Sequence, residues 1–248
     1  MNKKIISFMV ACFLMATMAV TAGAVELQAG FEGQAIVKKE LELDKSGLEV
    51  DYSAQYYDVA VQIPVGSKVT ITPKIGINTF RGEGIDVANS ELKFDGGIGW
   101  NLGVDISIDA IYTEFVDVAI VGKYRYSRTD VDDIALGGLY INNPLEVIMT
   151  THEYEIGVIA SKNLNEIEAL EGIIDFTVIP YVGVVYSDLR GAMKANLSIA
   201  SLQQDFRAQE NIGIRLGVTL EPITDLQCSI DIGLVDQTSI GGSITYKF

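Results

Sequence analysis

His152 is the single histidine of the chain. Imidazole is the side chain whose charge changes nearest neutral pH, so acid–base chemistry is sought there first. Glu153 beside it and Asp130 upstream are carboxylates of the kind that orient a catalytic imidazole. An isolated histidine at the end of a strand is ordinarily a tolerated polar residue, however, and no catalytic role is expected. Asp130-Val131-Asp132-Asp133 places three carboxylates within four residues, and oxygen ligands of this type suit Ca²⁺ or Mg²⁺. The glycine and terminal glutamate of a calcium loop are missing at the required offsets. A solvated acidic loop is therefore expected, with no metal and no cofactor.

A different arrangement of charge recurs along the whole chain. Glu32, Asp58, Lys74, Lys93, Asp95, Asp117, Lys123, Arg125, Glu155, Asp175, Arg215 and Asp231 each fall on the polar parity of a segment whose other parity is apolar. Val116, Val118, Ile120, Tyr124 and Tyr126, for example, alternate with Asp117, Lys123 and Arg125. Successive side chains of a β-strand point to opposite faces, so these segments read as strands with one greasy and one charged face. Tyr57, Val59, Val61 and Ile63 against Asp58 and Gln62 repeat the pattern, as do Phe94, Ile98, Trp100 and Leu102 against Lys93, Asp95 and Asn101. About ten such segments can be traced, each near the ~9–11 residues that a tilted strand needs to cross a bilayer.

Alternation also describes a soluble sandwich, in which the charged face would meet water. The apolar parity is nearly free of charge throughout, as expected where a lipid-facing Lys or Arg costs roughly 2–4 kcal/mol. Connections alternate in length as well: Pro64-Val65-Gly66-Ser67 and Pro222-Ile223-Thr224-Asp225 are short, whereas 81–89, 129–148 and 189–204 read as long loops. Short turns at one end and long loops at the other are the outer-membrane pattern. The expectation is an all-β, transmembrane, antiparallel up-and-down β-barrel of about ten strands, with eight or twelve as alternatives. Pro73 and Pro180 fall inside strands and each removes a ladder donor, so bulges or other strand boundaries are expected there. Trp100, Tyr246 and Phe248 are expected at the periplasmic interface, and Tyr124, Tyr126 and Tyr186 at the other.

The first residues read as a targeting segment. Lys3 and Lys4 precede an apolar stretch that ends in Ala22-Gly23-Ala24, which is the basic, apolar and small-residue order of a secretory signal peptide. Cleavage after Ala24 would leave residues 25–248 as one barrel domain with net charge about −17, from −15 for the whole chain less Lys3 and Lys4. Nucleic acid is excluded as a partner for so acidic a chain. Cys12 would leave with the signal, so Cys228 would have no disulfide partner and reads as an apolar residue on an outward face.

Gly242, Ile244, Tyr246 and Phe248 share one parity of the last segment, with an aromatic two before the end and a terminal Phe. This terminus resembles the C-terminal insertion signal of Gram-negative outer-membrane proteins, and the whole chain resembles small barrels of the outer-membrane protein A, protein W and opacity-protein type. The resemblance implies recognition by the barrel assembly machinery and periplasmic chaperones, outer-membrane lipids as surroundings, and no catalytic residue. A monomer is expected. The functional expectation is a non-enzymatic barrel, either structural or adhesive or a small porin-like channel. Opposed luminal charges would plug the interior, whereas luminal glycines such as Gly76, Gly157 and Gly213 would leave a narrow, cation-preferring path. The alternatives are an enzyme at the extracellular rim and a soluble periplasmic barrel for an apolar ligand.

Overall fold

The computed structural model describes residues 27–44, 49–85, 91–136, 139–142, 146–167, 176–196, 201–209 and 211–248. The expected signal peptide at 1–24 and Asp175 lie outside them. The described chain is almost entirely antiparallel strand: β1 (Gln28–Leu43), β2 (Glu49–Val65), β3 (Val69–Ile85), β4 (Glu91–Gly96), β5 (Gly99–Tyr112), β6 (Asp117–Leu136), β7 (Leu139–Asn142), β8 (Glu146–Ser161), β9 (Thr177–Asn196), β10 (Ser201–Ala208), β11 (Ile212–Ile223), β12 (Leu226–Leu234) and β13 (Thr238–Lys247). One short 3₁₀ turn, Leu164–Glu166, follows β8. β4 and β5 both pair β3 and β6, β7 and β8 both pair β6, and β10 and β11 both pair β9, so the described strands make a wall of ten. Neighbours in sequence are neighbours in the sheet, and β1 pairs both β2 and β13, which closes the ring.

The strands are far longer than a bilayer requires. β6 and β9 each have 20 residues, about twice the ~9–11 that cross the hydrocarbon. The surplus lies on the side away from the termini, where the described parts of the segments expected as long loops are instead paired strand. β3 continues to Ile85, β6 to Leu136 and β9 to Asn196, each paired with the strand that returns. Their polar composition read as loop because it is polar on the outer face only. Short turns lie at the opposite end, at 66–68 and 224–225, and β5 reaches down to Tyr112 on that side.

The wall therefore has two levels of opposite polarity. On β2, Tyr57, Val59 and Val65 are exposed while Asp58 is buried; higher up, Asp51 and Gln55 are exposed while Val50, Tyr52, Ala54 and Tyr56 are buried. The lower level is greasy outside and polar inside. The upper level is built like a soluble protein, around an apolar core that includes Ile36, Leu41, Phe80, Phe94, Val131, Met149, Leu189 and Phe206. Burial at about 25 cal/mol per Å² of apolar surface removed from water drives that core, and the transfer of its outer face to water needs no lipid.

β-Bulges allow a strand to pass between levels with its parity reset. The β1 register shifts between Ile36 and Lys38, so Glu32 and Gln34 face inward below and Leu41 and Leu43 face inward above. A second reset lies between Asp95 and Gly99, where the β4–β5 chain has one residue more than β3, and β6 has an extra residue between Val131 and Asp133 at the same height. Pro73 lies where the β2–β3 ladder breaks off after Ala60↔Lys74 and resumes at Ile63↔Ile71, equal on both strands and therefore a gap without a bulge. Pro180 keeps its place opposite Val218 on β11, one residue past the end of the β8 ladder at Ser161↔Tyr181.

Candidate functional site

The lower lumen is occupied by a charge network drawn from strands on all sides. Arg125 of β6 donates to Gln34 Oε1 at 2.8 Å and Asp58 Oδ2 at 3.1 Å, and lies 3.5 Å from Glu153 Oε2. Its guanidinium also lies over the Tyr56 ring, 4.1 Å from the centroid, where the ring quadrupole favours a cation. Lys123 donates to the same Gln34 at 3.0 Å and faces Glu153 at 3.6 Å. Lys74 bridges Glu32 and Asp105, both at 2.5 Å, and Arg215 donates to Glu155 at 2.8 Å. Arg125, Asp58 and Glu153 are each at most 3% exposed. Charges so buried persist only when paired, and these are.

Of the residues read as luminal from sequence, Glu32, Asp58, Lys74, Lys123, Arg125, Glu155 and Arg215 come together in this network. Asp231 points inward against Gly241, and Asp117 lies on the same inward parity at the foot of β6, opposite Tyr112. Lys93 and Asp95 do not belong. They stand on the outer face of the upper level, Asp95 with Arg81 at 2.5 Å and Lys93 with Glu83 at 3.9 Å. Between Arg81↔Asp95 and Asn78↔Gly99 the chain running from β4 to β5 has one residue more than β3, which turns the parity over, and for the same reason Phe94, read as lipid-facing, is in the apolar core. The sequence reading left Glu153 out of the network although it shares its parity with Glu155. It also missed Lys39 and Asp236, which the β1 bulge and a hairpin turn bring inward, and Ser187, on the inward parity of β9 with Val185 and Leu189.

The spaces at luminal glycines are taken up by neighbours. A Cβ on Gly76 would collide with the Asp58 carboxylate, and one on Gly213 with that of Asp236. Below the network a polar vestibule of about 340 Å³, lined by Gln62, Thr72, Asp105, Lys123, Glu155 and Arg215, occupies the half nearer the termini and ends at the buried charges. Above the network the apolar core fills the ring. In that upper level, beyond the membrane-spanning segments, burial pushes the Tyr52 phenol well above its ordinary value, and Tyr56, hydrogen-bonded to it at 3.1 Å, adds to the effect.

His152 is on the outer face of β8. Its Nδ1 shares a hydrogen bond of 3.0 Å with Tyr124 Oη, and its ring meets Tyr126 edge-on at 5.1 Å. Glu153 points the other way, into the lumen, and Asp130 pairs with Ile148, four residues up the strand. The three are not brought together. Asp130, Asp132 and Asp133 belong to β6 rather than to a loop, and no group of potential metal ligands occurs among the described residues. Trp100 lies against Tyr126 at 5.3 Å, so it belongs to the aromatic belt at the upper edge of the greasy level, not to the periplasmic one. Ile244, Tyr246 and Phe248 are exposed on the outer face, Phe248 against Tyr246 at 5.2 Å, with Gly242 on the same parity. Cys228 is a free thiol, half-buried.

A closed antiparallel ring with an apolar outer belt, aromatic edges and a charged lumen defines a transmembrane β-barrel of the bacterial outer membrane. The chain is similar to the translocator domain of the autotransporter NalP from Neisseria meningitidis, at 11% identity over 98% of this chain and 97% of that one, with a TM-score of 0.45. It is also similar to the outer membrane protease OmpT from Escherichia coli, at 9% identity, 90% and 96% coverage and a TM-score of 0.48. The transport unit of the autotransporter AIDA-I from Escherichia coli matches at 10% identity, 91% and 91% coverage and a TM-score of 0.47. Similarity this slight adds nothing to what the ladder itself shows. No protein-family model and no curated protein matches the sequence.

Proposed function

We propose that this outer-membrane barrel is non-enzymatic and shut, and that its working surface is the upper level, which it holds outside the cell as a structural or adhesive platform. The observation that carries this reading is the filled lumen: Arg125, Asp58 and Glu153 close it at mid-height, and the apolar core closes it again above. A porin-like role would require water-accessible charges along the whole axis. The reading is tested in planar bilayers, where the purified protein is expected to give no steady conductance in 1 M KCl. A stable open channel would refute it. The non-enzymatic part is tested by His152→Ala, which should leave any hydrolysis of lipid or peptide substrates unchanged.

The narrower likeness to barrels of the outer-membrane protein A, protein W and opacity-protein type rests on the last strand. In this reading Gly242, Ile244, Tyr246 and Phe248 are recognised by the barrel assembly machinery after delivery by periplasmic chaperones, and the product is a monomer in outer-membrane lipid. Deleting Phe248 is expected to slow the appearance of heat-modifiable, folded protein in the membrane several-fold.

A further inference from the structure

The wall does not have the same number of strands at both levels. β12 and β13 stop at Leu234 and Thr238, below the level at which β10 reaches across to β1 through Leu41↔Ala208, Glu42↔Arg207 and Leu43↔Phe206. Ten strands thus become eight. Between the Lys38↔Thr238 pair and the Leu41↔Ala208 pair, one backbone hydrogen bond among the described residues, Gln209 N to Glu40 O at 3.1 Å, crosses the seam.

What fills the seam is the turn joining β12 to β13. Instead of projecting outward it folds in, leaving Asp236 and Gln237 only 6% and 5% exposed. Val235 takes φ of 84° to do so, a left-handed conformation that is unfavourable for a β-branched residue. The turn is held by its carboxylate: Ser187 donates to Asp236 Oδ2, and Lys39 Nζ lies 2.8 Å from Ser187 Oγ and 3.6 Å from Asp236 Oδ2. The carboxylate sits against Gly213, where any side chain would collide with it. Ser187 is also the cross-strand neighbour of Glu155, which lines the vestibule with Arg215. Polar side chains therefore run without interruption from the vestibule to the inner side of the turn, whereas the way upward ends in apolar core.

We propose that the Val235–Gln237 turn is the stopper of a side port, and that Lys39, Ser187 and Asp236 are its latch. Small hydrophilic solutes or ions leave the lumen through the wall at the seam, at the outer interface of the membrane, when the turn swings out. The strained Val235 backbone favours release and the latch opposes it. The inference rests on the shut barrel proposed above: with the axis closed by the buried charges and the apolar core, the turn closes the way out through the wall.

The test uses K⁺ and Cl⁻ as probe ions in planar bilayers. In a Cys228→Ser background, Asp236→Cys removes the latch and leaves a thiol in the port; Gly213→Val displaces the carboxylate without altering charge. Each variant is first checked for heat-modifiable migration, so that a misfolded one is replaced by the other. Both are expected to conduct where the parent is silent, and a charged methanethiosulfonate reagent added on the outer side should abolish most of the current of Asp236→Cys while leaving that of Gly213→Val unchanged. Folded variants that stay silent, or a current that the reagent does not touch, would overturn the port. A parent that already conducts would count against the shut barrel alone, and the reagent would still report on the port.

Discussion

β8 alternates without interruption from Val147 to Val158, yet its two halves are built for different solvents. In the lower half Tyr154, Ile156 and Val158 face outward and Glu153 and Glu155 inward; in the upper half Thr150 faces outward and Val147 and Met149 inward. The backbone pairing is the same throughout. Alternation sets the strand, but the sense of the alternation reports the medium, and the height at which it inverts marks the edge of the bilayer.

The comparison is broken most severely by removing a buried group from each level. Arg125→Ala leaves Asp58 and Glu153 buried without their guanidinium and is expected to cost about 3–5 kcal/mol, read as a lower urea midpoint for loss of heat-modifiable migration. Phe206→Ala should cost a similar 3–5 kcal/mol by leaving a cavity. Its effect should be confined to the upper level, seen as protease cleavage of that level from outside with the membrane ring still protected. If Phe206→Ala instead melts the whole barrel at one midpoint, the two levels are a single cooperative unit.

Outward positions sharpen the contrast. Val158→Arg in lipid should cost about 2–4 kcal/mol, while Thr150→Arg, eight residues higher on the same face of β8, should stay within about 0.5 kcal/mol. Equal costs would move the bilayer edge above Thr150. The smallest effect is expected for Asp95→Asn, which removes an exposed pair with Arg81 that solvent already screens. That difference should fade further in 1 M salt, where charges are screened over ~3 Å.

The lower level was legible in the sequence because every strand there segregates charge in one sense, and the closed ring of ten wall strands followed from counting those segments. The upper level was not, for two physical reasons. A bulge adds a residue without any compositional mark: the one at Ile36/Lys38 hides the inward turn of Lys39, and the extra residue between Asp95 and Gly99 puts Lys93, Asp95 and Phe94 on the wrong faces. The tall strands also present polar residues to water as loops do, and only the inverse alternation of Glu40 and Glu42 with Leu41 and Leu43, or of Asp51 with Val50 and Tyr52, gives them away. The inward turn at Asp236 had no signal, since a carboxylate in a short hairpin tip ordinarily faces solvent.

The charged exterior of the upper level also fixes how deep the molecule can sit. Lys38, Glu40, Asp51, Arg81 and Arg190 stand just above the aromatic belt on several sides of the ring. Sliding toward the periplasm by one residue pair, about 7 Å along a strand, would drag such groups into hydrocarbon at a few kcal/mol each. The upper level is thus a flange, and it holds the barrel at one depth and one tilt without any loop or partner having to grip the membrane surface.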